Sequence, residues 1–246
     1  MQLKFSLTDG SLEKPCEKEV EVEIEDRRFD VIDVTWNPVV GCLHNCTYCW
    51  ARDLAETRLT HMKKYKDGFK PKIAEYELEK SFRKQYVFAC DMGDLFGDWV
   101  PKEWILKVLA AVGNNPSSCF LLLTKNPKRF FEFLDVFSEN LVLGATIETN
   151  REYKFSNAPS VAERYKCMIE LPYKRKMVSI EPVMDFDPEE FIGWLKDISP
   201  VVVHVGYANR YQGLPEPSLK KTQELITKLG SFTKVKSLRL REKYGQ

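Results

Sequence analysis

Three cysteines within eight residues are the feature that most limits what this chain can fold around. Cys42, Cys46 and Cys49 follow the spacing CxxxCxxC. Three thiolates held so close together can bind an iron–sulfur cluster and leave one of its irons open for chemistry. The other cysteines are isolated in the sequence, which predicts no second cluster; they are Cys16, Cys90, Cys119 and Cys167.

A zinc site is the main alternative for these cysteines. A structural zinc needs four ligands, commonly in two separated pairs, whereas this group supplies three. His44 could complete a tetrahedron, but it lies between Cys42 and Cys46, where the backbone must wrap around the metal. Three structural cysteines without a metal are a further alternative, although chance rarely places them between a strand-like and a helix-like run. The spacing therefore favours iron and sulfur.

The composition predicts a cytoplasmic protein with one domain. A chain of 246 residues, of which 43% are hydrophobic, is long enough for one sizeable core. Seven cysteines are an odd number and no hydrophobic signal segment precedes them, which argues against a secreted disulfide framework. The apolar run from Trp104 to Val112 is interrupted by Lys107, so it predicts an amphipathic helix and no contact with a membrane.

The charge balance gives no overall attraction to nucleic acid. The formal net charge is +1, from 37 basic and 36 acidic residues. Basic residues nevertheless crowd the C-terminus, where their alternation with Val235, Leu238 and Leu240 predicts a basic-faced strand; they are Lys234, Lys236, Arg239, Arg241 and Lys243. A solvated face and a local nucleic-acid patch both fit this pattern.

Strands and helices alternate along the chain. The apolar, often β-branched runs that predict buried strands are Phe29–Thr35, Tyr86–Cys90, Cys119–Thr124, Leu141–Ile147, Lys176–Ile180 and Val201–Val205. Apolar residues at helical spacing predict five helices. The first contains Trp50, Leu54 and Met62, and the second runs from Pro101 to Val112. The third contains Phe130, Phe131, Leu134 and Phe137, the fourth contains Phe191, Trp194 and Leu195, and the fifth runs from Leu219 to Leu229. Repeated strand–helix units imply an α/β fold with a parallel sheet.

The N-terminal residues 1–28 differ from the rest of the chain. Val20, Val22 and Ile24 alternate with glutamates, and Asp9-Gly10 is a turn signal. This pattern predicts a short β-hairpin extension appended to a main domain of residues 29–246.

Polar residues follow the predicted strands where a parallel fold would gather a site. The apolar runs end in Cys90-Asp91, in Thr124-Lys125, in Thr146 with Glu148, in Ser179 with Glu181, and in His204 with Gly206. Residues two apart in a strand project to one face, so Glu148 and Glu181 could converge on the mouth of a barrel. Ordinary strand-end polarity with outward salt bridges is the alternative for these two carboxylates.

The cysteine motif, with Tyr48 before its last cysteine, resembles the signature of the radical S-adenosylmethionine superfamily. Three further segments resemble a phage-associated and prokaryotic branch that is distantly similar to spore photoproduct lyase; they are Thr35–Cys42, Leu123–Arg129 and Ser179–Val183. The resemblance runs from about Val31 to Val205. It implies a partial (β/α)6 TIM-like barrel, which sequence periodicity alone would not distinguish from a flat doubly wound sheet.

The resemblance also implies the cofactors and their chemistry. Cys42, Cys46 and Cys49 would bind a 4Fe-4S cluster whose open iron holds the amino and carboxylate groups of S-adenosylmethionine. One electron, from a donor such as ferredoxin or flavodoxin, would cleave the sulfonium to methionine and a 5'-deoxyadenosyl radical, which abstracts hydrogen from a substrate. The substrate is unidentified; the distant similarity and the basic C-terminus favour a nucleic acid or nucleotide.

Individual roles follow from the same resemblance. Tyr48 would lie beside the adenine, and the segment from Asp91 to Asp94 occupies the place of the amino-binding GGE sequence, from which this chain departs. Thr146 or Glu148 would contact the ribose, Lys125 or Ser179 the methionine carboxylate, and the Gly206-Tyr207 backbone the adenine face. Glu181 is a further cofactor-binding candidate.

Cys90 is the candidate catalytic residue. A thiol at a strand end near the radical could return a hydrogen atom to a substrate radical, as a cysteine does in spore photoproduct lyase, although a buried structural cysteine is the alternative. Two other functions remain open on the sequence. One is an iron–sulfur protein that transfers electrons or senses oxygen without radical chemistry, and the other is a zinc-stabilised nucleic-acid-binding module.

Overall fold

A parallel, curled half-barrel sheet with helices packed on one face forms the body of the protein. The computed structural model describes residues 32–209 and 213–242, so the predicted hairpin of residues 1–28 lies outside the described part. The strands are β1 Val34–Trp36, β2 Val39–Val40, β3 Lys72–Ile73, β4 Tyr86–Ala89, β5 Cys119–Thr124, β6 Leu141–Thr146, β7 Lys176–Ile180, β8 Val202–Gly206 and β9 Lys234–Leu238.

The main sheet has seven strands in the order β1-β4-β5-β6-β7-β8-β9, and every neighbouring pair is parallel. The strands β2 and β3 pair antiparallel in a separate two-stranded sheet. The parallel α/β sheet predicted from the alternating runs is therefore confirmed, as is the partial barrel that the resemblance implied. The basic-faced C-terminal strand is β9, which adds a seventh strand to the six predicted from apolar runs.

Helices connect the parallel strands. They are α1 Trp50–Thr57, α2 Lys102–Gly113, α3 Val161–Glu170, α4 Pro188–Ile198 and α5 Leu219–Leu229, with 3₁₀ helices at Glu75–Glu77 and Pro127–Val136. No helix in residues 32–209 and 213–242 is long and apolar enough to cross a membrane.

Two helix predictions need correction. The stripe expected of an α-helix after β5 lies in the 3₁₀ helix Pro127–Val136, where Phe130 and Phe133 are buried and Phe131 is 38% exposed. Residues three apart share one side of a 3₁₀ helix, which explains why Phe133 is inside and Phe131 outside. Helix α1 ends at Thr57, so Met62 lies beyond it and is exposed.

The core lies between the sheet and the helices. Alternate residues of the strands point to this side, among them Phe120 and Leu122 of β5, which join a large apolar cluster. Leu121 and Leu123 point to the opposite, inner face of the curled sheet. Packing thus fixes the sheet against its helices and leaves the carboxyl ends of the strands to carry the site.

Candidate functional site

A cavity of about 180 Å³ lies where the carboxyl ends of the parallel strands meet the cysteine loop. Its lining includes Cys42, Cys46, Cys49, Tyr48, Cys90, Asp91, Lys125, Thr146, Ser179 and Glu181. Because all strands of the main sheet are parallel, their carboxyl ends share one edge, and residues far apart in the sequence converge there. Of the predicted site residues, Glu148 and Gly206 are not part of this lining.

The cysteine loop is held by its backbone. Gly41 has φ +83°, and a Cβ on it would come within 2.4 Å of the backbone of Lys70. Only glycine adopts this conformation and this close approach without strain. Cys49 caps the N-terminus of α1, where its Sγ accepts a hydrogen bond from the backbone N–H of Arg52 at 3.3 Å. The loop therefore ends in a helix N-terminus, whose dipole favours thiolates.

The three cysteines provide the right donors for an iron–sulfur cluster. All three are free thiols at one cavity, and thiolates are the ligands that these clusters use. Burial raises the pKa of Cys42, and the charges of Asp94, Cys46 and Cys49 raise it further. A bound cation would oppose this rise, because its positive charge stabilises the thiolates. In the described residues, no three Cys, His, Asp or Glu side chains are gathered as a metal-binding group. The three cysteines therefore suit an iron–sulfur cluster by the chemistry of their sulfur atoms.

A buried polar network ties the cysteine loop to β5. His44 Nε2 lies 2.9 Å from Oδ2 of Asp94, which is 4% exposed. Asp94 also accepts hydrogen bonds from the Thr124 hydroxyl at 2.7 Å and from the Lys125 backbone N–H at 2.9 Å. Burial would raise the pKa of Asp94, but the bonds from His44 and Thr124 hold it below its usual range. One ring nitrogen of His44 is thereby bonded to Asp94.

A second buried network surrounds Glu148. Its carboxylate accepts hydrogen bonds from the Tyr48 hydroxyl at 2.6 Å, Lys125 Nζ at 2.7 Å and Arg164 Nη1 at 2.8 Å. Glu148 is 2% exposed, and although burial favours the neutral acid, Arg164 and Lys125 hold its pKa well below the usual range. The carboxylate lies behind Tyr48 and Lys125, which themselves face the cavity.

The end of β4 presents a thiol and a carboxylate. Cys90 has φ +60° and is 3% exposed, and burial raises its pKa to about 12. The Asn37 side chain spans the adjoining turn: its Nδ2 donates to Asp91 Oδ1 at 2.6 Å, and its Oδ1 accepts from the Met92 N–H at 2.9 Å. A left-handed conformation is rare for a residue other than glycine and is tolerated where surrounding contacts enforce it.

The ends of β7 and β8 complete the site. Ser179 is buried in the cavity wall, and Glu181 pairs there with Arg239 of the segment after β9. Gly206 lies against Leu238, whose carbonyl oxygen would be 2.6 Å from an added Cβ, and its own carbonyl accepts from the Val183 N–H. Close packing of β8 on β9 therefore explains this glycine. The inward pairing of Glu148 also differs from the outward salt bridges considered as its alternative.

Sequence reasoning missed some of the supporting residues. Arg164 lies on α3, which was not predicted, although Ser160 and Glu163 form a capping box that marks its start. The hydrogen bonds from Asn37 to Asp91 and from His44 to Asp94 join residues that are 54 and 50 positions apart in the sequence. No local signal in the sequence could have revealed these pairs.

The fold is similar to that of two solved radical S-adenosylmethionine enzymes. One structure is a spore photoproduct lyase mutant with bound AdoMet and dinucleoside spore photoproduct, at 12% identity and a TM-score of 0.52, with 80% of this chain and 61% of that chain covered. A second lyase mutant gives 11% identity and a TM-score of 0.55, covering 89% and 66%. The chain thus spans about three fifths to two thirds of the lyase's length.

The other enzyme is Streptococcus suis SuiB. Its structure bound to S-adenosylmethionine matches at 13% identity and a TM-score of 0.52, covering 84% of this chain and 46% of that chain, and SuiB was also solved with its precursor peptide SuiA. These likenesses confirm the fold that the sequence resemblance implied.

The comparison with curated proteins gives no match. A family match, in contrast, extends over residues 27–195, which include the cysteine loop, the strands β1 to β7 and most of α4. Since this match covers more than half of the sequence, the chain belongs to the family described as Protein of unknown function (DUF5131).

Proposed function

We propose that this protein is a radical S-adenosylmethionine enzyme that holds a 4Fe-4S cluster through Cys42, Cys46 and Cys49. The observation that carries the proposal is that these three free thiols line one cavity at the carboxyl edge of a parallel half-barrel. With one electron from a donor such as ferredoxin or flavodoxin, the bound cluster would cleave S-adenosylmethionine to methionine and a 5'-deoxyadenosyl radical.

The residues around the cavity suit the binding of S-adenosylmethionine. Tyr48 is the aromatic side chain proposed for the adenine, and its ring is fixed by the hydrogen bond to Glu148. Asp91, as an acceptor, is the candidate for the methionine amino group, because a carboxylate pairs with an ammonium. Ser179 is a neutral donor for the methionine carboxylate, and the ammonium of Lys125 attracts the same group.

Glu148 acts in this proposal through its neighbours. Its oxygens already accept from Tyr48, Lys125 and Arg164, so a direct ribose contact is assigned to Thr146, which faces the cavity. Glu148 would therefore be a positioning residue for Tyr48 and Lys125. Glu181, paired with Arg239, provides the second carboxylate of the cavity wall.

Cys90 is the proposed donor of a hydrogen atom to the substrate radical. Its thiol lines the cavity, and with a pKa raised to about 12 by burial it keeps its S–H hydrogen at neutral pH. A thiol with this hydrogen can supply it as an atom; the S–H bond breaks, and one further electron from the same class of donor with one proton would return the sulfur radical to the thiol. This role makes Cys90 a catalytic residue.

A nucleic acid or nucleotide is the proposed substrate class. One of the lyase structures contains a dinucleoside photoproduct, whereas SuiB was solved with a peptide, so the shared fold accommodates both classes in other proteins. The basic strand β9, which carries Lys234 and Lys236, favours the nucleotide for this chain. The bond to Asp94 uses one ring nitrogen of His44 and leaves the other, so the metal content of the protein decides the zinc alternative.

The test is an anaerobic reconstitution with iron and sulfide, followed by dithionite and S-adenosylmethionine. We expect iron and sulfide to be incorporated and 5'-deoxyadenosine to appear in the wild type, and neither in a variant with Cys42→Ala, Cys46→Ala and Cys49→Ala. A bound cluster without 5'-deoxyadenosine would instead support an electron-transfer or oxygen-sensing protein. Stoichiometric zinc in a colourless protein would support the nucleic-acid-binding module.

A further inference from the structure

We propose that residues 58–72, which join α1 to β3 and are called here the basic connector, form the docking surface for an acidic one-electron donor protein. The proposal rests on the proposed function, because it concerns how the cluster receives its electron. The donor is identified by its chemistry: a small protein with a reduced flavin or iron–sulfur centre and an acidic surface around it.

The basic connector is strongly charged in a chain that is nearly neutral overall. It contains six basic residues and one acidic residue, while the whole chain has a net charge of +1. Lys64 pairs with Glu77 at 2.8 Å and Lys72 with Asp67 at 3.1 Å. The other four basic side chains are exposed and form no ion pair within the described residues; they are Arg58, Lys63, Lys66 and Lys70.

The inner side of the basic connector packs directly on the cysteine loop. Tyr65 and Phe69 are buried in one apolar cluster together with Cys42 and Cys49. The backbone of Lys70 also touches Gly41, the residue before Cys42. Buried side chains of the connector thus lie against two of the proposed cluster ligands, and a donor docked on its outer surface would be brought toward the cluster.

The exposed side chains of this region suit a protein partner better than a nucleic acid. Sequence-tolerant binding of single strands uses aromatic rings on which bases stack, but Tyr65 and Phe69 are 2% and 6% exposed. The exposed apolar side chains are instead Met62, at 38%, and Leu43, at 52% and adjacent to Cys42. Apolar contacts within a charged rim are typical of protein interfaces, in which methionine is enriched.

Charge explains what the connector contributes to the electron transfer. Opposite potentials on two surfaces speed their encounter and fix their orientation, and this effect weakens as salt screens the charges. In the transfer itself, one electron would leave the donor, which would be oxidised, and enter the cluster held by the three cysteines, which would be reduced. No atom or proton needs to move.

The test compares two double charge reversals in the full-length protein. Lys63→Glu with Lys66→Glu removes most of the net positive charge of the basic connector. Lys220→Glu with Lys228→Glu makes the same change in charge on exposed positions of α5, near the opposite end of the sheet. The probe is an acidic flavodoxin, whose binding in its oxidised form is measured by calorimetry and whose reduction of the cluster is followed by stopped-flow absorbance.

We expect the connector variant to bind flavodoxin at least about tenfold more weakly and to be reduced about tenfold more slowly, as lost electrostatic steering predicts. Reduction by dithionite, a small reductant that needs no docking surface, should be unchanged, and the α5 variant should behave as the wild type. Equal loss in both variants, or none in the connector variant, would overturn the proposal. A selective loss of oligonucleotide binding with normal flavodoxin binding would overturn it too.

The iron content of the reconstituted protein shows whether a failed result contradicts the cluster or the docking surface. A protein that takes up no iron and sulfide would contradict the cluster, yet the calorimetric comparison of the two variants still decides whether the connector binds the donor. A protein that binds the cluster and cleaves S-adenosylmethionine with dithionite, but whose connector variant accepts flavodoxin normally, would contradict the docking surface alone.

Discussion

The hydroxyl of Tyr48 donates a hydrogen bond of 2.6 Å to Oε1 of Glu148, across 100 residues of sequence. This bond joins the cysteine loop to the segment that follows β6. Lys125 Nζ lies 5.6 Å from the centroid of the Tyr48 ring and pairs with the same carboxylate oxygen. One buried anion thus fixes an aromatic ring and a cation that both face the cavity.

Replacing Glu148 with glutamine should destabilise the fold by about 3 kcal/mol, because it leaves Lys125 and Arg164 without a buried counter-charge. The free energy of unfolding, measured in urea, checks this value. Glu75→Gln is the matched control, since Glu75 pairs with Lys107 on the surface, and it should cost less than about 1 kcal/mol. Similar costs in the two variants would contradict the buried network.

Replacing Gly41 with alanine should displace the cysteine loop. The new Cβ meets the Lys70 backbone at 2.4 Å, and backbone cannot move aside as a flexible side chain would. Gly213→Ala is the control, because Gly213 also has positive φ, at +67°, but has no atom within 4 Å of an added Cβ. Both variants lose about 1–2 kcal/mol from the left-handed conformation.

The clash should add about 2 kcal/mol to the cost of Gly41→Ala. Denaturation measures this difference between the two glycine variants, and iron content after reconstitution shows whether the loop still accepts a cluster. A Gly41→Ala protein as stable as the Gly213→Ala protein would mean that the loop does not need the close approach.

The free energy of unfolding should decrease as the pH falls from about 6.5 to 4, because the folded protein keeps His204 neutral. Burial, and then the charge of Lys236, lower the pKa of His204 from 6.5 to about 4. In that window the unfolded chain binds a proton that the folded protein does not, so each pH unit removes about 1.4 kcal/mol as the pH decreases. Above pH 6.5 the contribution is fully present.

The pH prediction is checked by urea unfolding of His204→Gln over the same range. The variant should lack this part of the slope, whereas His61→Gln, a change at an exposed histidine, should keep the slope of the wild type. Identical slopes in wild type and His204→Gln would show that the imidazole does not titrate as its surroundings indicate.

Replacing Cys90 with alanine should separate the two halves of the proposed reaction. The variant should still form 5'-deoxyadenosine, because Cys90 is not a proposed cluster ligand, but it should not complete a substrate turnover that needs a hydrogen atom from the thiol. Product analysis with candidate dinucleotide substrates measures this split. Cys167→Ala is the control, since Cys167 is a free thiol on α3 outside the cavity lining. Normal turnover by Cys90→Ala would rule out the donor role.

The sequence by itself determined the three cysteines, the parallel strands and the edge of the sheet where the site forms. Each of these follows from local information: the spacing of Cys42, Cys46 and Cys49, the apolar strand runs, and the rule that parallel strands end at one edge. The sequence also predicts Lys125 and Ser179 as site residues, because Lys125 directly follows one apolar run and Ser179 lies near the end of another.

Only the tertiary structure decided how these residues are paired. Glu148 and Glu181 look alike in the sequence, but one is enclosed by Tyr48, Lys125 and Arg164 while the other lines the cavity beside Arg239. The exposure of the basic connector likewise depends on which of its side chains pack on the cysteine loop. Such relations join segments distant in the chain, and a local pattern of residues carries no information about which distant group will satisfy a buried charge.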